Sequence, residues 1–197
     1  MSSFKKQEKY TSDKCECCGQ TKTYLLPVDR GTVDILKSIA RAILKKGINV
    51  IHPRKEMEID PNRFSPGAFD YDLMVKEGHL TSNMVGNLSR PRFHGLIAKV
   101  KNEPGNYCLT SKGGDFLKGE SIPKYAVIDK TTGHKKEYWL SEKYRVTIKD
   151  FSSDEEYWEG LDYVIRAGRV IEKIEEKKDY YSDLQASKAA KQQNNLF

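Results

Sequence analysis

The chain has 197 residues, of which 38% are hydrophobic and 31% charged, and a formal net charge of +6. That length holds one sizeable core or two small domains, and no apolar run approaches the roughly 18 residues of a spanning helix. The start, MSSFKKQEKY, lacks the apolar stretch of a secretory signal, so a cytoplasmic protein with no membrane partner is expected.

The charge is uneven. Residues 1–50 net +5, 51–80 net −2, 81–120 and 121–150 net +3 each, and 151–197 net −3. A basic excess at the start and middle of the chain favours an anionic partner, although the same balance also serves ordinary solubility. Four cysteines, Cys15, Cys17, Cys18 and Cys108, make no disulfide scaffold in a cytosolic chain of this length, which leaves metal binding or free thiols.

In chain order, residues 1–14 are polar. Cys15-Glu16-Cys17-Cys18-Gly19 then contains a C-x-x-C followed by glycine, the turn with which a zinc knuckle brings two thiolates, here Cys15 and Cys18, to one Zn2+. No second C-x-x-C follows. A tetrahedral site needs Cys17, His52, Cys108, another histidine or a second chain, and His52 is the best placed because it follows a long helix and can fold back. The alternative is a degenerate ribbon or a set of free thiols.

Thr21 to Val28 reads as a short strand, confined by Pro27 to a sheet edge or strand end. From Thr32 to Lys46, Val33, Ile35, Leu36, Ile39, Ala40, Ile43 and Leu44 recur at helical spacing, with Asp34, Lys37, Arg41 and Lys45 on the other side. Gly47 stops this helix, and Lys45 and Lys46 suit its negative end. The prolines of residues 52–67 predict a long connection. Ala68 to Gly78 reads as a short helix with Phe69, Tyr71, Leu73 and Met74 inward. Asp70 and Asp72 diverge on such a helix and are expected to be solvated.

Thr81 or Ser82 caps the next helix, which buries Met84, Val85 and Leu88. Pro91 is expected at the first position of a further short helix anchored by Phe93, Leu96 and Ile97. Residues 98–101 and 106–109 pair across the turn Asn102-Glu103-Pro104-Gly105. Thr110 caps a helix over Ser111 to Lys118, with Phe116 and Leu117 inward. Tyr125 to Asp129 and Lys136 to Leu140 form a hairpin, and Tyr144 to Ile148 a third strand. Ser152 or Ser153 starts an acidic helix whose buried stripe is Trp158, Leu161, Val164 and Ile165. Beyond Arg169 the chain reads as a charged, loose tail.

The order helix, helix, hairpin, capped helix between His79 and Glu120 is that of a winged helix-turn-helix, whose second helix lies in the major groove while the wing grips phosphates. Ser89, Arg90, Arg92 and His94 are the exposed candidates on that helix, His94 taken alone reading as structural or incidental, and Lys99, Lys101 and Asn102 those of the wing, with Asn106 at its tip. Arginine suits guanine, and lysine and asparagine suit phosphates or base edges. The same module also serves as a protein-docking platform with a solvated basic face.

Catalysis has no motif in its favour: there is no P-loop, nucleophile elbow, H-E-x-x-H or nucleotide-binding glycine turn, and Lys112-Gly113-Gly114-Asp115 is read as loosening a helix start. No enzyme is expected.

Gly95-Leu96-Ile97, a wing, then Leu109-Thr110-Ser111-Lys112-Gly113 and Phe116-Leu117 resemble the corresponding run of MarR-like winged helix-turn-helix regulators over about forty residues. With the C-x-x-C-G element before it and Ile122-Pro123-Lys124-Tyr125 after it, the arrangement is also similar to small proteins of bacteriophage and prophage genomes. The chain shows no counterpart of the long end helices with which MarR-like proteins dimerise.

The expected fold is therefore α+β: a zinc-knuckle-like element and long helix over residues 1–50, a winged helix over 51–120, a small antiparallel sheet and helix over 121–168, and a charged tail over 169–197. The expected function is DNA binding in transcription regulation. Its alternative is a factor that docks on and modulates a host enzyme or complex.

Overall fold

A computed structural model describes residues 23–60, 70–100, 102–129, 137–152, 158–167 and 175–177, and the fold is mixed α+β. Cys15, Cys17, Cys18 and Lys101 lie outside these residues. Strand β1, Thr23–Pro27, leads into helix α1, Arg30–Lys46. Asp29 starts that helix before the periodic stretch begins, because its carboxylate accepts the Thr32 amide at 2.8 Å and the Thr32 hydroxyl at 2.7 Å. At the far end Gly47 takes the left-handed conformation, φ 62°. The Gly47 amide then reaches the Leu44 carbonyl and the Ile48 amide the Ile43 carbonyl, which closes the last turn.

The proline-rich connection carries more order than its composition suggests. Pro53 opens a one-turn helix α2, Pro53–Glu56, and Ile59–Asp60 form β2. Helix α3, Tyr71–Lys76, is capped by Asp70, and β3, Leu80–Thr81, lies parallel to β2. Met74 is buried as expected, but Leu73 is 53% exposed and Val75 takes the inward position. There follow α4, Ser82–Gly86, α5, Ser89–Phe93, and the hairpin of β4, Ile97–Lys99, with β5, Tyr107–Leu109. Helix α6 spans Ser111–Leu117.

Strands β6, Ile122–Asp129, and β7, Glu137–Val146, form the centre of a four-stranded sheet; β1 covers one side of the pair, and the short β8, Glu175–Lys177, runs parallel to β7 on the other. Pro27, the last residue of β1, lies on an edge strand as its missing amide requires. The separate third strand expected over 144–148 is instead the continuation of β7. Its ladder to β6 runs on past an irregularity between Pro123 and Tyr125, to pair Pro123 with Arg145 and Ile122 with Val146. Ile148 falls in a single 3-10 turn, Ile148–Asp150. Two further findings concern the C-terminal part: β8 lies where only tail was expected, and the described helix, α7, spans Leu161–Ala167, with residues 158–160 outside it and residues 153–157, where the acidic helix was expected to start, outside the described residues. Gly160, at φ 79°, sets its start, and Trp158, Leu161 and Val164 are buried as their spacing predicted.

One apolar cluster links these elements, with Val33, Ile35, Leu36, Ile39 and Ile43 of α1 in it alongside Met74, Met84, Leu96, Phe116, Ile122 and Leu161. Helices α3, α5 and α7 pack against α1, and part of the side that the sequence assigned to solvent is covered. Asp34 and Lys37 are consequently buried, and each needs a partner in place of water. The Tyr71 hydroxyl donates to Asp34 at 2.9 Å, and Lys37 Nζ donates to Ser152 Oγ at 3.1 Å. Arg41 places its guanidinium 4.1 Å from the centre of the Trp158 ring. Burial raises the Asp34 carboxyl above its ordinary range, against the opposing pull of the Tyr71 hydrogen bond and of Arg30 and Lys37.

The glycines of α6 are there for packing. A Cβ at Gly113 would collide with the Leu96 carbonyl oxygen, so α6 approaches the β4 segment more closely than any side chain allows. Thr110 fixes that approach: its one hydroxyl proton is shared between the Gly95 and Leu96 carbonyls, and its oxygen accepts the Gly113 amide at 3.0 Å. Gly113→Ala is therefore expected to cost about 2 kcal/mol and to lower Tm by roughly 4–8 °C in a thermal melt. Gly86→Ala, in a helix end with no atom near the added Cβ, is expected to leave Tm unchanged or raise it. Equal melting of the two variants would contradict the packing role of Gly113.

Candidate nucleic-acid interface

Thr81 organises the entry to α4. Its hydroxyl accepts the Met84 amide at 3.2 Å, and its own amide donates to Met84 Sδ at 3.3 Å. Met84, Val85 and Leu88 are buried, as their spacing predicted, which leaves Ser82, Asn83 and Gly86 exposed and Asn87 half-buried. Asn87 Nδ2 donates to the Asn83 carbonyl at 2.9 Å and to Asn83 Oδ1 at 3.2 Å, so the two amides are held together one turn apart.

Leu88, still in helical conformation, joins α4 to α5. Pro91 is the third residue of α5, not the first. The helix tolerates it because first-turn amides have no intrahelical acceptor, and the ring is buried.

The expected readers meet different fates. Ser89 is exposed, at the first position of α5. Arg90 is half-buried, and its Nη1 is hydrogen-bonded and ion-paired to Asp29, the cap of α1. Burial alone would raise the Asp29 carboxyl; the Thr32 hydroxyl and amide and the Arg90 guanidinium outweigh it and hold the group below its ordinary range. Arg92 is half-buried with its guanidinium 4.7 Å from the centre of the Phe93 ring.

His94 corrects the expectation of exposure outright, because it is completely buried where α5 ends. Burial first, and then the charge of Lys112, lower its pKa to about 3, against the opposing influence of Asp29 and of the Pro27 and Leu26 backbone. A neutral imidazole packed in the interior has no face for a ligand.

The β4–β5 hairpin carries the remaining candidates. Lys99 is exposed at the end of β4, opposite Tyr107. Asn102 is exposed and takes φ 63°, a left-handed conformation that asparagine accepts more readily than most residues. Asn106 Nδ2 donates to the Glu103 carboxylate at 2.8 Å across the turn. Behind the hairpin, the Ile51 amide donates to the Tyr107 carbonyl and the Tyr107 amide to the Ile51 carbonyl, both at 2.9 Å. Ile51 thus adds a third extended segment beside β5.

His52 follows immediately and packs its ring against Gly105 of the turn, with Nδ1 buried. The cysteines that it was expected to join at a metal, Cys15, Cys17 and Cys18, lie outside the described residues. Cys108 is buried on β5 with its thiol directed at the Ala98 carbonyl, 3.7 Å away, and burial raises its pKa. Among the described residues no three His, Cys, Asp or Glu side chains converge as a metal group would require.

Asn83 and Asn87 are the polar residues of this surface that the sequence reading passed over. Their signal was present, since they are the polar positions four apart that remain once Met84, Val85 and Leu88 are assigned inward. With Asp29 and Arg90 they border one cleft. Among the described residues, no helix is long and apolar enough to cross a membrane. No protein-family model, curated protein or solved structure matches the chain.

The buried His94 has a consequence for stability. Its folded pKa of about 3 lies below the ordinary 6.5, so the unfolded chain binds the extra proton between these values. This contribution is intact above pH 6.5 and is lost progressively as the pH falls toward 3, with a limiting slope of about 1.4 kcal/mol per pH unit. Denaturant unfolding at several pH values is expected to show that loss in the wild type and a shallower one in His94→Leu. An unchanged slope in the variant would contradict the assignment.

Proposed function

We propose that this chain is a DNA-binding regulatory protein whose α1, Ile51 segment, α3, α4–α5 unit and β4–β5 hairpin constitute a winged helix. The observation that carries this reading is the reciprocal Ile51–Tyr107 hydrogen bonding. It sets one extended segment, between α1 and α3, against the hairpin that follows α5; with the one-turn α2 and the two-residue β2 and β3 set aside and α4–α5 counted as one unit, the order is helix, extended segment, helix, helix, hairpin.

In this reading Asn83, Asn87 and Ser89 face base edges. Arg90 supports them from its pairing with Asp29, and Arg92 lies at the helix end. Lys99, Asn102 and, from the sequence, Lys101 engage the backbone phosphates. Amide side chains suit adenine edges, and lysines supply sequence-independent affinity. Transcription regulation is the role that fits such a module.

A second reading, docking on a host enzyme or complex, is favoured by one observation. The fully exposed positions of α4 and α5, Ser82, Asn83, Gly86 and Ser89, are all uncharged. Zinc at Cys15 and Cys18, with Cys17 or another ligand, is a separate proposal that rests on the sequence alone. Metal analysis of the purified chain tests it, with stoichiometric zinc expected and a metal-free protein under non-chelating conditions contradicting it.

DNA binding is tested by anisotropy titration of a duplex library across roughly 50 to 200 mM salt. Affinity is expected to fall steeply, and Lys99→Ala to reduce the log–log salt slope by about 1. Asn83→Ala with Asn87→Ala is expected to cost about 1–3 kcal/mol of discrimination on a selected sequence. No duplex binding at the lowest salt, together with a host protein that co-purifies through nuclease treatment, would replace this reading with the docking one.

A further inference from the structure

We propose that the cleft between the start of α1 and the α4–α5 unit is a nucleobase pocket, which receives one unpaired base with its edge against Asn83, Asn87, Arg90 and Asp29. The cleft has a volume of about 230 Å3. That is below the roughly 300–1,000 Å3 of pockets for drug-sized ligands and suits a single planar ring system. Most of its lining is polar, and the buried Ile35 and Met84, with Tyr71, supply apolar surface against which a flat heterocycle can pack.

The polar groups of the cleft come as a mixed set. Arg90 spends Nη1 on Asp29, while its Nε and Nη2 have no partner among the described residues. Asn87 spends Nδ2 on Asn83, which leaves Asn87 Oδ1 as an acceptor and Asn83 Nδ2 as a donor without partners among those residues. Asp29 adds a carboxylate whose Oδ1 serves Thr32 and whose Oδ2 serves Arg90, with lone pairs to spare.

This set discriminates between ligand chemistries. A free inorganic anion is opposed by the Asp29 carboxylate, which already occupies the cationic positions at the start of α1 and at Arg90. A metal ion is opposed by the Arg90 guanidinium. A base edge, which carries fixed donors and acceptors side by side in one plane, uses both kinds of group without placing a net charge in the cleft. The base is either that of a free nucleoside or an unpaired one within a strand.

The test is titration of the full-length chain, followed by amide NMR shifts, with guanosine, adenosine, cytidine and uridine, and in parallel with short single-stranded oligonucleotides. None of the nucleosides carries a phosphate, so electrostatic attachment to a strand does not enter their arm. Saturable binding is expected, with shifts centred on Gly31, Asn83 and Asn87. Gly31→Phe blocks the cleft from its rim: the position is helical, exposed, and has only Asp29 Oδ1 near an added Cβ, at 3.6 Å. That variant and Asn83→Ala are each expected to weaken binding about tenfold or more, with thermal melts verifying that both fold.

Binding of nucleosides identifies a free-base site, and variant-sensitive binding of oligonucleotides alone identifies an unpaired base in a strand. No saturable binding in either arm, or binding that folded Gly31→Phe and Asn83→Ala leave intact, overturns the proposal. Duplex binding is measured separately, so its failure would remove the winged-helix reading without touching this one.

Discussion

Burial of α1 on nearly every side is the constraint from which the remaining arrangement follows. Thr32 through Ala40 are buried without a break, which no amphipathic helix on a protein surface would tolerate. Three charged residues within that helix had to be matched from elsewhere, and Tyr71, Ser152 and Trp158 do so from α3, from the segment after β7 and from the entry to α7. Exchanging water for such partners gains little net energy, but losing one partner strands a buried polar group at about 1–3 kcal/mol or more for a charge. The positions of α3 and α7 are therefore specified by polar contacts as well as by apolar packing.

The two ends of the α4–β5 region are tied down by single residues with more than one task. Asp29 caps α1 and holds Arg90, so the start of the central helix and the middle of α5 are fixed to one another through one carboxylate. Thr110 caps α6 and binds the Gly95 and Leu96 carbonyls, and Gly113 lets α6 close on that same backbone. Between these anchors the chain presents the exposed edge of α4 and the β4–β5 turn. A surface held this way is pre-ordered, and binding through it would lose little conformational entropy.

Much of the fold was legible in the sequence because local rules and tertiary demands agreed. The apolar spacing and Gly47 located α1, Thr81 and Thr110 announced their helices, and Asn102-Glu103-Pro104-Gly105 marked the hairpin. Where tertiary contacts decided, the sequence misled. Asp34 and Lys37 look like solvent-side residues until Tyr71 and Ser152 are in place, and His94, grouped with the exposed residues of its helix although a structural histidine was the alternative, is buried near Leu26, Pro27 and Lys112. The two glycines of α6 read as a weakness because what they accommodate, the Leu96 backbone at Gly113 and the Ile165 side chain at Gly114, is distant from them in the sequence. Arg90 belongs to the same class: its charge was evident, but its partner Asp29 stands sixty-one residues earlier.

The proposed function turns on which surface of the protein meets a duplex. Amide NMR mapping of the labelled chain on addition of a duplex answers this directly. Shifts confined to Ser82, Asn83, Gly86, Asn87 and Ser89 of the α4–α5 unit and to Lys99 and Asn102 of the hairpin are the predicted result. Shifts centred instead on α7 or on the β6–β7 sheet, with the α4–α5 edge undisturbed, would contradict it.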